Sequence, residues 1–158
     1  MGAAMDLGSA KAIVTGGASG LGAATAQALR AAGATVTIFD RDTVAGAVFA
    51  ESIGAGFAEV DVTDESSVAA GIAHARATMG GIDVLVNCAG IVIGEKTLGR
   101  EGPHRLDSFR HTLDINLTGS FNCLRLAAAE MAQNPGIEKG VIINTRSEER
   151  RVGKECRL

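Results

Sequence analysis

The sequence predicts an α/β fold, a parallel sheet covered on both faces by helices, and three features lead to it. Short β-branched or apolar runs alternate along the chain with longer stretches of helical period. The turn between the first run and the first helical stretch carries Gly16, Gly17, Gly20 and Gly22. Later strands end at acidic residues, Asp40 and Asp61, which places carboxylates along one edge of the sheet. Strands joined through helices must run parallel, because each crossover needs a helix and turns right-handed.

Taken in order, Lys11–Thr15 (KAIVT) reads as the first strand and Leu21–Ala32 as the first helix, with Leu21, Thr25, Ala28, Leu29 and Ala32 expected on one face. Gly33 ends it in the manner of a C-terminal glycine cap. Thr35–Asp40 (TVTIFD) is the second strand, a helix runs from about Asp42 to Ile53, and Phe57–Asp61 (FAEVD) is the third strand. Thr63 is expected to cap a helix reaching Met79, and Ile82–Asn87 (IDVLVN) has the continuous apolar character of a buried strand. Cys88–His104 is rich in glycine and contains Pro103, so it reads as a loop. From Leu106, the residues Phe109, Leu113, Leu117, Phe121, Leu124, Ala128 and Met131 step by three or four, which predicts a long helix with one apolar stripe. Asn134-Pro135-Gly136 stops it, and Val141–Thr145 (VIINT) is the fifth strand. The class is α/β, a Rossmann-type doubly wound parallel sheet.

Composition bounds the function. A chain of 158 residues, 46% hydrophobic and 21% charged, fits one globular domain, and no apolar run reaches the length of a membrane span. A net charge of −3 offers nothing to nucleic acid or to anionic lipid, so neither is expected as a partner. Cys88, Cys123 and Cys156 are odd in number and widely spaced, and with an N-terminus that lacks signal-peptide architecture they point to a reducing, cytoplasmic setting. His74, His104 and His111 have no metal-ligand spacing, and no metal site is expected. The sequence contains no tyrosine and no tryptophan. Residues 146–158 (RSEERRVGKECRL) break the pattern, with eight of 13 charged. A solvated charged tail is one reading; the other is a non-native tail, because Arg146–Arg157 resembles the translation of a common sequencing-library adapter. On the second reading residues 1–145 are a partial nucleotide-binding domain and the remainder is foreign to it.

The chemistry concentrates in the glycine turn. Glycines after a strand and before a helix let the chain turn tightly, bring backbone N–H groups close to a pyrophosphate and place it at the positive end of the helix. Such glycines also serve as plain turn residues. Asp40 stands 18 residues after Gly22, where a carboxylate can accept both hydroxyls of an adenosine ribose and repel a 2′-phosphate, which favours NAD over NADP. Arg41 works the other way, since a guanidinium can hold a phosphate. Asp61 faces the same crevice or serves as a helix-entry residue.

Thr15–Gly22 (TGxxxGxG), Asp40, Asp61-Val62, Asn87-Cys88-Ala89-Gly90 and Asn116 within DINLTGSFN together resemble the signature of the short-chain dehydrogenase/reductase family over residues 10–145. Within it TGGASGLG, VNCAG, the EKTLGREGPHRLDSF loop and GVIINT are most similar to the 3-hydroxyacyl-CoA dehydrogenase type 2 branch, whose members also oxidise hydroxysteroids. The resemblance implies the first five strands of the family sheet in the order 3-2-1-4-5. It implies that Gly16, Ser19, Gly20, Leu21 and Gly22 hold the pyrophosphate, Asp40 the ribose, and Asp61 and Val62 the adenine. Cys88, Ala89 and Gly90 would line the nicotinamide half while Asn87 braces the sheet. Asn116 matches the family's catalytic asparagine, at a helix bend whose carbonyl holds a relay water. Family enzymes also use a serine after the fifth strand and a Tyr-x-x-x-Lys helix, in which the phenol is the acid/base. Here tyrosine is absent, and Ser147 matches only the register of that serine, within the anomalous tail. The expectation is therefore an inactive N-terminal part of an NAD-dependent oxidoreductase acting on a secondary alcohol, ketone or acyl-CoA, homotetrameric when complete. The alternative is a non-catalytic sensor of NAD(P) with the same fold.

Overall fold

A computed structural model describes residues 5–100, 102–135 and 137–146. Five parallel strands, β1 (Lys11–Thr15), β2 (Thr35–Asp40), β3 (Gly56–Glu59), β4 (Val84–Asn87) and β5 (Val141–Asn144), form one sheet in the order β3-β2-β1-β4-β5. Ile13 pairs in register with Thr37 on one side and Leu85 on the other, and Leu85 with Ile142.

Successive residues of a strand point to opposite faces, and here both faces are buried. Ala12, Val14, Val36, Ile38, Val84 and Val86 pack against the helices α1 (Gly20–Ala31) and α2 (Thr43–Ser52). On the opposite face Ile13, Phe39 and Leu85 meet Val68, Ile72 and Ala75 of α3 (Glu65–Met79) and Cys123, Ala127 and Met131 of α5 (Ser120–Met131).

The long helix runs from Leu106 to Met131 but is not α throughout. Between α4 (Leu106–Leu113) and α5, Asp114–Gly119 is a π-helical segment. Such segments are rare and often sit at functional sites. The helix turns Ile115, Gly119, Cys123, Ala127 and Met131 inward. Most of the stripe read from sequence lies outside: Leu106, Phe109, Leu117 and Phe121 are at least half exposed.

Three local expectations are corrected. The buried face of α1 is Gly22 and Ala26, with Leu29 packed partly against the core, because small residues let the helix approach the sheet; Leu21 is 70% exposed. Strand β3 ends at Glu59, so Asp61 lies two residues beyond it. The cap of α3 is Asp64, whose Oδ1 accepts from Ser67 N–H at 2.9 Å, while the Thr63 hydroxyl turns back to Asp61. Within the loop after β4, Leu98–Gly99 and Gly102–Pro103 form a two-residue antiparallel ladder.

Candidate functional site

The connections after β1, β2, β3 and β4 all emerge at the carboxyl edge of the sheet, where ligands of open α/β folds lie. After β1, the turn into α1 is packed so tightly at Gly16, Gly17 and Gly22 that a side chain there has no room. Gly16 has φ +63°, and a Cβ there would lie 2.8 Å from Ala89 N; at Gly22 it would lie 2.1 Å from Gly16 O. Gly20 has φ +53°, which glycine adopts without strain. Ser19 is the N-cap residue of α1, and its hydroxyl makes no capping hydrogen bond. The outcome is a turn of close backbone approach, open at Gly20, at the positive end of a 12-residue helix. Thr15 holds this turn to the segment after β4: its Oγ1 accepts from Cys88 N–H at 3.2 Å and Ala89 N–H at 3.1 Å.

At the end of β2, Asp40 binds both neighbouring backbones. Its Oδ2 accepts from Ala18 N–H at 2.9 Å and its Oδ1 from Asp42 N–H at 3.0 Å, so the acid is fixed against the glycine turn. Asp61 Oδ1 accepts from the Thr63 hydroxyl at 2.7 Å and the Thr63 N–H at 2.9 Å. These bonds, chiefly the hydroxyl's, hold its carboxyl below the ordinary value, and Arg41, with Nε 3.7 Å from Oδ2, adds to the effect. Beside Asp61 is a hollow lined by Arg41, Thr63, His111, Asp114, Ile115 and Thr118. Val62 is buried, and its carbonyl accepts from Asn122 Nδ2 at 3.0 Å; a Cβ on Gly119 would approach its Cγ2 to 2.5 Å.

Beyond β4, Asn87 is buried, and its Nδ2 donates to Asn144 Oδ1 at 2.9 Å and to Ser120 O at 3.3 Å, tying β4 to β5 and to α5. Cys88 is half-buried with Sγ 3.4 Å from Thr145 Oγ1, whereas burial pushes the Cys123 thiol up to about 12. Asn116 lies in the π segment. Its Oδ1 accepts from Ile91 N–H and its Nδ2 donates to Ile91 O, both at 2.8 Å, as if one strand residue paired with another. Ser120 donates its hydroxyl to the Asn116 carbonyl at 2.8 Å.

The residues singled out from sequence thus converge on one edge: Gly16, Ser19, Gly20, Leu21 and Gly22 at one end, Asp40, Asp61 and Val62 along one side, and Asn87, Cys88, Ala89, Gly90 and Asn116 at the other end. Ser147 falls outside the described residues. Three residues, Thr15, Ser120 and Asn122, lie inside the motifs quoted from sequence but carry no role assigned there. Thr15 and Ser120 act through hydroxyls whose partners are remote or hidden within a helix. Asn122 had a readable signal, a polar residue on the same helical face as Gly119 and Cys123.

Comparison with known proteins shows the family. A family model described as short chain dehydrogenase matches residues 10–157, a range that takes in most of the charged tail. The chain is 46% identical over 143 residues to 3-hydroxyacyl-CoA dehydrogenase type-2 of Bos taurus, covering 86% of this chain and 55% of that protein. Among solved structures, a short-chain type dehydrogenase/reductase from Mycobacterium marinum superposes with a TM-score of 0.80 at 34% identity, over 90% of this chain and 57% of the other. A structure described as ribose-5-phosphate isomerase from Brucella melitensis 16M gives a TM-score of 0.75 at 36% identity, over 85% and 50%. The chain spans about half the length of the proteins it matches. With the family model matching nearly end to end and the sheet order in agreement, this chain belongs to the short chain dehydrogenase family.

Proposed function

We propose that this chain carries the dinucleotide-binding half of an NAD-dependent oxidoreductase whose substrate is a secondary alcohol, a 3-hydroxyacyl-CoA as in the name of its bovine relative. The observation that carries the reading is the close-packed glycine turn, in which a Cβ at Gly16 or Gly22 would collide with backbone while Gly20 lies open at the mouth of α1, beside an acid anchored by Ala18 N–H. The pyrophosphate sits on the turn and the N-terminus of α1, with the Ser19 hydroxyl and the Leu21 N–H at its rim. Asp40 takes the ribose hydroxyls; Asp61 and Val62 flank the adenine.

NAD fits better than NADP, because the Asp40 carboxylate opposes a 2′-phosphate and the Arg41 guanidinium faces Asp61. When bound, the nicotinamide ring accepts the hydride. This chain's part is orientation. Backbone of Cys88, Ala89 and Gly90 forms the wall for that ring, Asn87 keeps the wall in register with β5, and the Asn116 carbonyl holds a relay water alongside the Ser120 hydroxyl. No tyrosine is present to act as the acid/base, so the 158 residues alone bind nucleotide without turning over an alcohol. The outward stripe of Leu106, Phe109, Leu117 and Phe121 is the face we assign to subunit association in a homotetramer.

Titration calorimetry on the purified chain tests the reading. NAD should bind roughly tenfold or more tighter than NADP, as expected for a carboxylate that bonds one and repels the other. Alcohol-dependent NADH formation should be undetectable. Failure to detect NAD binding would overturn the nucleotide assignment, and measurable turnover would overturn the assigned need for a phenol.

A further inference from the structure

The segment after β4 is held at two places. At its start, Ile91 pairs through both backbone groups with the Asn116 side chain. Further along, Glu95 reaches the first turn of α4. Its Oε1 accepts from Arg105 Nη2 at 2.9 Å, from Arg105 Nε at 3.2 Å and from the Ser108 hydroxyl at 2.8 Å, and its Oε2 accepts from Arg105 N–H at 3.1 Å. The Arg105 side chain most strongly, then the Arg105 N–H and the Ser108 hydroxyl, pull its carboxyl down to about 2. His104 donates from Nδ1 to Arg105 O at 2.8 Å and stands edge-on to Phe109 with ring centroids 6.3 Å apart.

Residue Arg105 is the N-cap position of α4 and supplies no side-chain cap of its own. Asp107 Oδ1 takes the Ser108 N–H at 2.8 Å, and Glu95, ten residues upstream, adds to it from outside the helix by bonding the Arg105 N–H and placing a negative charge at the positive end of α4. Ser108 is 5% exposed, so its hydroxyl needs this acceptor. Because α4 continues without a break into the π segment, Glu95 and Asn116 anchor the same loop to one rigid rod.

We propose that Glu95 is a positioning residue for the substrate side of the cleft: through Arg105 and Ser108 it makes Ile91–Arg100 and Gly102–Arg105 a preformed wall carried by the helix that bears Asn116. The assignment of that side to substrate rests on the oxidoreductase reading above; the latch itself is tested independently of it. The wall is then a fixed determinant of substrate shape, present before any ligand arrives.

Limited trypsin digestion of the 158-residue chain reads the latch at Lys96, an exposed site directly after Glu95. Arg105→Gln breaks the latch without altering the residues that flank Lys96. Cleavage tracks the population of the open loop, so the product ending at Lys96 should form about tenfold faster in Arg105→Gln, the loss expected for charge-assisted bonds. Arg105→Lys, which keeps a cation, should restore most of the resistance, and NAD affinity and the melting temperature should stay within error of the parent. Equal cleavage rates in parent and Arg105→Gln would overturn the proposal. Should Arg105→Gln not fold, Glu95→Gln read by hydrogen exchange at the His104 N–H, which bonds Thr97 O at 3.0 Å, must show faster exchange; unchanged exchange overturns it equally. Loss of NAD binding by the parent would sink the oxidoreductase reading and leave the latch result standing.

Discussion

The two ends of the cleft are built by opposite means. At the glycine turn the chain removes side chains, so that backbone meets backbone: Gly16 against Ala89 and Gly22 against the Gly16 carbonyl. Further along the loop after β4, from Ile91 onward, the described residues are held in place by side chains, Asn116 at one point and Glu95 at another. Steric fit of backbone tolerates no substitution, whereas an exposed ion pair can be weakened by degrees and by solution conditions. The first end should therefore fail abruptly when altered and the second gradually.

The largest effect is expected at Gly22. Gly22→Val places a branched side chain into the Gly16 carbonyl, an overpacking that costs about 1–3 kcal/mol or more and displaces the turn. Calorimetry should show NAD binding lost and thermal denaturation a lowered midpoint. Next, Asn122→Ala leaves the Val62 carbonyl buried without its donor, at a cost of about 1–3 kcal/mol in urea unfolding. Asp40→Asn keeps the acceptor oxygen and one neighbour but removes the charge, and should narrow the preference for NAD over NADP by about tenfold, read by paired titrations.

A gentler probe of the other end is pH. The Glu95 carboxyl is held to about 2 in the fold against 4.5 ordinarily, so its latch is fully present above the ordinary value and fades as pH falls from there toward 2. Exchange at the His104 N–H should accelerate across that interval relative to exchange at Val14 in the core, once the intrinsic pH dependence is divided out. The smallest effect is expected from ending the chain at Arg146, which should change neither NAD affinity nor the melting midpoint.

Much of the first end was legible in the sequence, and little of the second. Strand positions follow from β-branched runs separated by helical stretches, a local pattern that packing reinforced, whereas the sheet order came from the family resemblance and is the order found. The glycine turn is also local, since its constraint lies within Gly16–Gly22. What was misread involves competition between neighbours. Thr63 looks like a cap, but Asp64 takes that role because the Thr63 hydroxyl finds a carboxylate two residues back. The stripe from Leu106 to Phe121 has helical period, yet period alone does not say which side meets the sheet; Gly119 and Ala127 allow closer approach and take the inside. Glu95 with Arg105 and Ser108 has no period at all, because an irregular loop sets the spacing.

The π segment Asp114–Gly119 sets the phase between the two halves of the long helix. An α-helix turns about 100° per residue, so removing one residue there to regain α geometry would rotate Leu106–Leu113 by that angle against Ser120–Met131. Ser108 would swing away from Glu95 while Cys123 and Ala127 stayed on the sheet. The surplus residue acts as a phase shifter, letting one rod face the core with its second half and hold a loop with its first.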